Sequence, residues 1–518
     1  MVEASQPIDG RTPVLVGAGQ VTSHWAGEDA ASAPSPQDLR RDAAALALAD
    51  SGQEDALRGA IDLVVAVRTT PDSIPGAPQP FGRCANPPAT VAADLGIAGA
   101  RGIYSQLGGD QPQSLVNELA AAVHAGETRA ALLVGAEATR ALKFAARKGM
   151  ALDWTRSAEG EMEDRGFGGA LLSPYEIANG LGSPTQTYPA FEHALRVRMG
   201  HTREQHMRLM SELWAGFAKV AAANPHSQFP EAHSADYLST PSAGNYPIAD
   251  PYLKWHVAQD AVNQAAAVVI TTVAEAERLG IDRSKWVFLH GHAKAKDTMV
   301  TERADLSRSP PIELVLKQAL ETSGKQVGDI ALFDLYSCFP VAVLLATEAL
   351  GLDWRAMPAT LTGGLPFFGG PGNNYSLHAI ATMVERLRER PGDYGLILAN
   401  GGFLTKEAAG VYSTEPPAQW APQSSAAIQA QVDAQTAPPL LAEDCNATVE
   451  TYTVVYKSGQ PSRGYVIGAS DKGRILARTG KDDAAILAQL AARDAVGRTV
   501  RVEVRDGINT IAALGEAA

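Results

Sequence analysis

The sequence predicts an α/β protein built from two similar halves and closed by a small β-rich domain. Three observations carry this. Short apolar stretches alternate with segments of helical spacing along most of the chain. The same strand-and-helix phrases recur at an offset of roughly 267 residues, far too long for a solenoid repeat. Near the C-terminus the pattern changes to alternating apolar and polar residues broken by turn dipeptides.

In the first half, Pro13–Ala18 (PVLVGA) reads as a buried strand and Leu39–Ser51 as a helix stopped by Gly52. Ile61–Val67 is a strand, Gln113–Ala125 a helix closed by Gly126, and Ala130–Gly135 another buried strand. The second half repeats the plan with a helix at Ile312–Thr322, a strand at Asp329–Tyr336, a helix at Ser376–Glu389 and a strand at Gly395–Ala399. Apolar strands between helices imply a parallel or mixed sheet covered on both faces. Residues 141–245 interrupt the pattern and are expected to form an inserted lid or binding surface. The expected boundaries are 1–275 for the first half, 276–413 for the second, 414–442 for a linker or extended strap rich in Ala, Gln, Pro and Ser, and 443–518 for a small antiparallel, OB-like barrel.

A length of 518 residues suits two or three domains, and 45% apolar with 19% charged residues is ordinary for a globular protein. A net charge of -13 repels phosphate backbones, so nucleic acid is not an expected partner. Cys84, Cys338 and Cys445 are few and scattered, which excludes a disulfide framework and a C-x-x-C zinc site. The N-terminal stretch has neither a leader pattern nor an anchor, and no long apolar run suggests a membrane span, so a cytoplasmic location is expected. Gly17-Ala18-Gly19 follows a strand but lacks the third glycine of a dinucleotide fingerprint, because position 22 is Thr22. His290 and His292 have no companion that completes a metal site.

Four local motifs in order carry a family resemblance. The helix Gln113–Ala125 with LLVGAEA after it resembles the thiolase segment that follows the nucleophilic cysteine. DLYSCF at Asp334–Phe339 resembles the H-D-C-F element of sterol-carrier-linked thiolases, GGLPFFGGP at Gly363–Pro371 resembles their G-G-x-x-x-x-G-H-P loop, and ANGG at Ala399–Gly402 resembles the C-x-G loop. The resemblance to the thiolase superfamily runs from about Thr12 to Thr414. It implies duplicated α/β halves layered as an α-β-α-β-α sandwich, with coenzyme A as part of the substrate and no separate cofactor.

The family's chemical groups do not carry over. The nucleophile position matches Gly109, the G-H-P histidine matches Gly370, the second cysteine matches Ala399, and the remaining oxyanion-binding residue matches Tyr336. Glycine holds no acyl group, so thiolysis through an acyl-enzyme is not expected. Tyr336 resembles the tyrosines that steroid side-chain-cleaving aldolases use in place of thiolase histidines, where a phenol serves in acid/base work or oxyanion binding. Filling space is the alternative role for Tyr336. His378 is a candidate base or a packing residue, Asp110 a proton acceptor or a helix cap, and Cys338 a buried structural thiol or a displaced nucleophile. Gly363, Gly364, Asn400, Gly401 and Gly402 form two glycine-rich loops whose N–H groups are suited to approach a thioester oxygen.

The expected partner is an acyl-CoA thioester. The expected activity is acyl-CoA-directed but not that of a standard thiolase, with retro-aldol cleavage of a β-hydroxyacyl-CoA through Tyr336 and a catalytically silent binding protein as alternatives. Thiolase-like aldolases and some thiolases work with small OB-like partner proteins, and here such a module is fused to the chain. Homodimer and monomer are both compatible with the resemblance.

Overall fold

The computed structural model describes residues 8–481 and 483–517; the opening residues, read above for a leader, lie outside the described residues. The first sheet has the strand order Pro13–Thr22, Asn263–Thr272, Ala130–Ala138, Ile61–Ala66, Arg101–Tyr104 and Glu163–Asp164. The second has the order Ile330–Leu335, Tyr394–Gly401, Lys406–Ser413 and Phe288–Lys296. Both sheets are mixed: Ile61–Ala66 runs parallel to Ala130–Ala138 and to Arg101–Tyr104, which runs parallel to Glu163–Asp164, and Ile330–Leu335 runs parallel to Tyr394–Gly401, while the pairings of Pro13–Thr22, Asn263–Thr272, Lys406–Ser413 and Phe288–Lys296 are antiparallel.

Helices Gln111–Ala125 and Tyr375–Glu389 lie between the sheets, where Leu115, Leu119, Leu377 and Ile380 share one core with residues of both. Helix Pro36–Asp50 covers the outer face of the first sheet, and helices Pro310–Ser323 and Pro340–Leu350 cover the outer face of the second. The layers are therefore α-β-α-β-α, with a strand-rich C-terminal unit beside them. No helix among the described residues is long and apolar enough to cross a membrane.

Local chemistry accounts for the element ends. Helix Pro36–Asp50 begins three residues before the apolar pattern does, because Ser35 and Asp38 form a capping box with Pro36 at the first position. Gly126 and Gly324 end their helices in the left-handed conformation. Gly17 and Gly19, which mimic a dinucleotide fingerprint, have a packing role: a Cβ there would strike the carbonyls of Ala47 and Ala43 on the covering helix. Gly291 stands in the same relation to Ala319 in the second half, so the internal duplication extends to the glycines under each helix.

Of the two readings of the segment after the second half, linker or extended strap, the strap describes its path. It contains helix Ala426–Asp433, with Ile428 and Val432 buried. Its polar side chains serve the outer edge of the second sheet. Gln423 Oε1, Ser425 Oγ and Gln429 Oε1 accept from the backbone N–H groups of His292, Lys294 and Lys296 at 3.1, 3.0 and 2.8 Å.

The C-terminal unit closes a ring of five strands, Cys445–Lys457, Gln460–Ser470, Gly473–Arg478, Ile508–Ala517 and Arg498–Arg505, the last returning to the first. It is not wholly antiparallel: Arg478 pairs with Thr510 on a parallel strand. Helix Ala484–Ala492 lies in the connection between Gly473–Arg478 and Arg498–Arg505. Two short strands just after the insertion, Pro247–Ala249 and Tyr252–Leu253, extend the ring's sheet at the first strand.

Candidate active site

The chain enters helix Gln111–Ala125 through Gly108, Gly109 and Asp110. The Gly108 N–H donates to Asn373 Oδ1 at 3.1 Å, and the Gly109 carbonyl accepts from Ser376 Oγ at 2.9 Å. A Cβ on Gly109 would lie 2.5 Å from the Asn400 carbonyl oxygen and 2.8 Å from Tyr336 Cζ, with the Tyr336 hydroxyl closer still. The space that a side chain at this position needs is filled by the phenol. By contrast, a Cβ on Gly370 would meet Ala258 and Gln259 at 3.3 Å, a fit that needs only a small adjustment.

Tyr336 follows the strand Ile330–Leu335, and its N–H donates to the Leu398 carbonyl at 3.0 Å. Its ring stands edge-on to Tyr375 with centroids 5.4 Å apart. Burial pushes the phenol pKa well above its ordinary value, and the neighbouring Cys338, Tyr375, Asp110 and Glu407 add to the shift. The phenol is thus held neutral. Cys338 is also buried, and its thiol is pushed up to about 12, chiefly by burial. It accepts a weak hydrogen bond from Asn400 Nδ2 at 3.7 Å, and it has the properties of a structural thiol.

Asn400 Nδ2 also donates to Tyr188 Oη at 3.1 Å, and Tyr188 Oη donates to the Gly402 carbonyl at 3.2 Å. Tyr188 comes from the insertion helix Pro184–Arg198 and stacks on Phe339 with centroids 4.2 Å apart. The insertion therefore positions the Asn400-Gly401-Gly402 loop beside Gly109. Asp110 makes no side-chain cap, contrary to the capping alternative. Its Oδ2 accepts from Gln111 Nε2 at 2.9 Å, while its Oδ1 is wedged between Gly108 and Gly401 and has no partner among the described residues. Burial raises Asp110 to about 6, against the pull of Lys406.

Sequence reasoning missed Glu407. It sits directly opposite Asn400 across the hairpin and is 1% exposed. Neither of its carboxyl oxygens has a partner among the described residues. Burial pushes its pKa well above the carboxylate range, with Asp110 adding to that and Arg303 opposing it. The signal was present in TKEAAGVY, where two charges open an otherwise apolar strand.

Gly363, Gly364 and His378 make their contacts with other parts of the fold. A Cβ on Gly363 would strike Ala221, and one on Gly364 would strike Phe217 at 2.5 Å; both glycines have positive φ, +110° and +77°. They let the insertion helix Arg203–Ala223 press onto their loop. Tyr375 Oη donates to Asp334 Oδ1 at 3.1 Å and lies 2.6 Å from Thr362 Oγ1, which ties that loop to the strand below it. His378 is fully buried, with Nδ1 2.9 Å from Gln20 Oε1 and its ring edge-on to Phe368. Burial lowers its pKa to about 3, so the imidazole stays neutral. His290 and His292 are likewise lowered to about 4 by burial, and no cluster fit to hold a metal is found among the described residues.

A cleft of about 730 Å³ runs between helix Arg203–Ala223 and the loop before Gly363. Leu213, Phe217 and Trp354 line it together with Lys219, Arg355 and Arg386.

Residues 427–507 match the family model for the thiolase-like protein type 1 additional C-terminal domain. The crystal structure of a monomeric SCP2-thiolase-like protein type 1 from Mycobacterium smegmatis superposes with a TM-score of 0.82 at 36% identity, covering 97% of this chain and 99% of that one. Two more distant structures share the fold. An Ltp2-ChsH2(DUF35) aldolase matches at TM-score 0.57 and 19% identity, over 78% of this chain and 98% of that one. The dimeric peroxisomal thiolase of Saccharomyces cerevisiae matches at 0.58 and 15%, over 79% of this chain and 99% of that one. No curated protein gives a significant sequence match. With the layered duplicated fold and the extra C-terminal unit both accounted for along nearly its whole length, this chain belongs to the SCP2-thiolase-like protein type 1 family of the thiolase superfamily.

Proposed function

We propose that this protein binds an acyl-CoA thioester without forming an acyl-enzyme and without thiolase activity. The observation that carries the reading is the Tyr336 phenol standing where a side chain at position 109 would project. A thioester carbonyl brought there meets a neutral hydrogen-bond donor rather than a nucleophile. The cleft between helix Arg203–Ala223 and the loop before Gly363 supports binding, since Lys219 complements a phosphate, Arg355 and Arg386 add positive charge while paired with Glu212 and Glu389, and Phe217 and Trp354 suit an apolar chain. Coenzyme A enters as part of the ligand, with no separate cofactor. The strand order of the C-terminal ring favours the OB-like reading, and a cytoplasmic setting suits an acyl-CoA ligand.

Calorimetry with an acyl-CoA series tests this. Binding without thiolysis, and without a mass increase on the wild-type chain, is the expected outcome. Lys219→Glu with Arg355→Glu should weaken binding by about tenfold or more. A trapped acyl group, or a complete lack of binding, would sink the proposal.

A second reading is retro-aldol cleavage of a β-hydroxyacyl-CoA. The observation favouring it is that Asp110 and Glu407, two buried acids, flank the phenol. In such a step a base removes the β-hydroxyl proton, the Cα–Cβ bond breaks to release an aldehyde, and the electron pair moves into the thioester enolate. The Tyr336 O–H would donate to that enolate oxygen. Aldehyde release from β-hydroxyacyl-CoAs, lost in Tyr336→Phe, would establish this reading over simple binding.

A further inference from the structure

We infer that the C-terminal ring has a positioning role: through Arg474, and then Arg303, it holds the turn 402–405 at the rim of the candidate active site. Leu404 carries the strain in that turn. Its φ is +51°, a left-handed value that leucine seldom adopts, and its side chain is fully buried. A residue in such a conformation persists only where its surroundings over-determine it. Here they do. The Leu404 N–H donates to Tyr188 Oη at 3.2 Å, and the Phe403 N–H donates to Thr405 Oγ1 at 3.1 Å. Arg303 Nη2 donates to the Phe403 carbonyl at 2.9 Å and to Thr405 Oγ1 at 3.3 Å. Arg303 is 2% exposed, so water does not stand in for those bonds when they are lost.

The ring sets Arg303 in turn. Arg474, on strand Gly473–Arg478, donates from Nη1 to the carbonyls of Thr301 and Arg303, the first at 3.2 Å. Its Nε and Nη2 grip Glu450 on strand Cys445–Lys457 at 2.7 and 3.0 Å. A guanidinium is rigid and planar, so fixing one edge on the ring aims the remaining donors at the core. Glu176, from the insertion, accepts from the N–H and hydroxyl of Thr301 at 2.7 and 3.0 Å. Segment 300–304 therefore has carbonyls tied to the ring and an N–H tied to the insertion. The main chain of Arg303 is placed by the ring, and its side chain places the turn. Among the described residues no hydrogen bond runs directly from the ring to the turn, so the coupling passes through Arg303. The turn closes the hairpin that sets Glu407 opposite Asn400. This role goes beyond the acyl-CoA reading and stands whether or not a thioester binds.

Hydrogen exchange of the full-length chain without ligand, read by mass spectrometry, tests it. Amides of Phe403, Leu404 and Thr405 report the turn, and those of Leu132 and Leu133 in the buried strand Ala130–Ala138 report global opening. The ratio of the two rates should rise about tenfold in Arg474→Gln, as the loss of one charged hydrogen bond predicts. Arg474→Lys keeps a charge beside Glu450 but loses the planar fork. It should give a smaller rise in the same direction, and it serves if the first variant does not fold. Arg303→Lys should raise the ratio as much as Arg474→Gln does, and combining the two should raise it no further, because they act in series. Val466→Ala opens space in the ring's own core and should leave the ratio at its wild-type value. An unchanged ratio in both Arg474 variants would leave the ring a passive neighbour. An equal rise in Val466→Ala would make the turn sensitive to any loosening of the ring, and additive rises in the double variant would break the relay into two independent effects; each of these overturns the inference.

Discussion

The hydroxyl of Tyr336 and the missing side chain of Gly109 occupy the same place. Each residue sets the other: the glycine admits the phenol, and the phenol excludes any larger residue from the helix entrance. The Asn400 carbonyl bounds the same spot from the backbone side, so the exclusion does not relax with a rotamer change alone.

Gly109→Ala should therefore cost about 1–3 kcal/mol of stability, the range typical of overpacking. Tyr336→Phe alone should cost little. The two changes together should be less destabilising than their sum, because the phenylalanine removes one of the colliding atoms. Urea unfolding of the four proteins measures the coupling. Gly109→Cys should bind acyl-CoA no better than wild type and show no thiolysis.

Asp110 makes stability depend on pH in a definite direction. Its folded pKa of about 6 lies above the ordinary 3.8, so the folded chain holds this proton more tightly than the unfolded chain does. The stabilising contribution is complete below the unfolded value and is lost as pH rises through about 6. Asp110→Asn keeps a neutral side chain throughout. The stability difference between variant and wild type should grow between pH 4 and 7 by at most about 3 kcal/mol, read from urea midpoints across that range.

Cys338 should resist alkylation in the native state up to about pH 9, because its thiol is buried and pushed up to about 12. Peptide mass spectrometry should find label on Cys84 long before Cys338. Early labelling of Cys338 would contradict the structural role given to it.

Arg474 links the C-terminal ring to the second half of the core. It pairs with Glu450 at 2.7 and 3.0 Å and donates from Nη1 to the Thr301 carbonyl at 3.2 Å, with 4% of its surface exposed. Arg474→Met should destabilise the whole chain by roughly 2–3 kcal/mol, since it leaves buried carbonyls without a donor. Thermal unfolding should remain a single transition at a lower midpoint.

The alternation of apolar strands and helices was enough to read the duplicated α/β core, because it reflects sheets buried on both faces. Gly109 was also readable, since an absent side chain is visible in any sequence. What surrounds it was not. Tyr188 reaches the Asn400 loop from 212 residues away, and Glu407 meets Asn400 only once the hairpin register is known. Gly363 and Gly364 looked like a ligand loop, and glycine does permit that. Here the same freedom admits a helix from the insertion, a long-range packing event with no local signature. The composition of the Gln- and Ser-rich segment left linker and strap both open, because only the register against Phe288–Lys296 shows what its side chains accept from.

That strap has a further consequence. Its glutamines and serine replace a missing neighbour strand by supplying acceptors at every second residue from His292 to Lys296. A flexible spacer of equal length would keep the two modules tethered yet bare that row of amide groups. Strand addition by a second molecule would then have a template, so the strap's composition guards against self-association as much as it spans a distance.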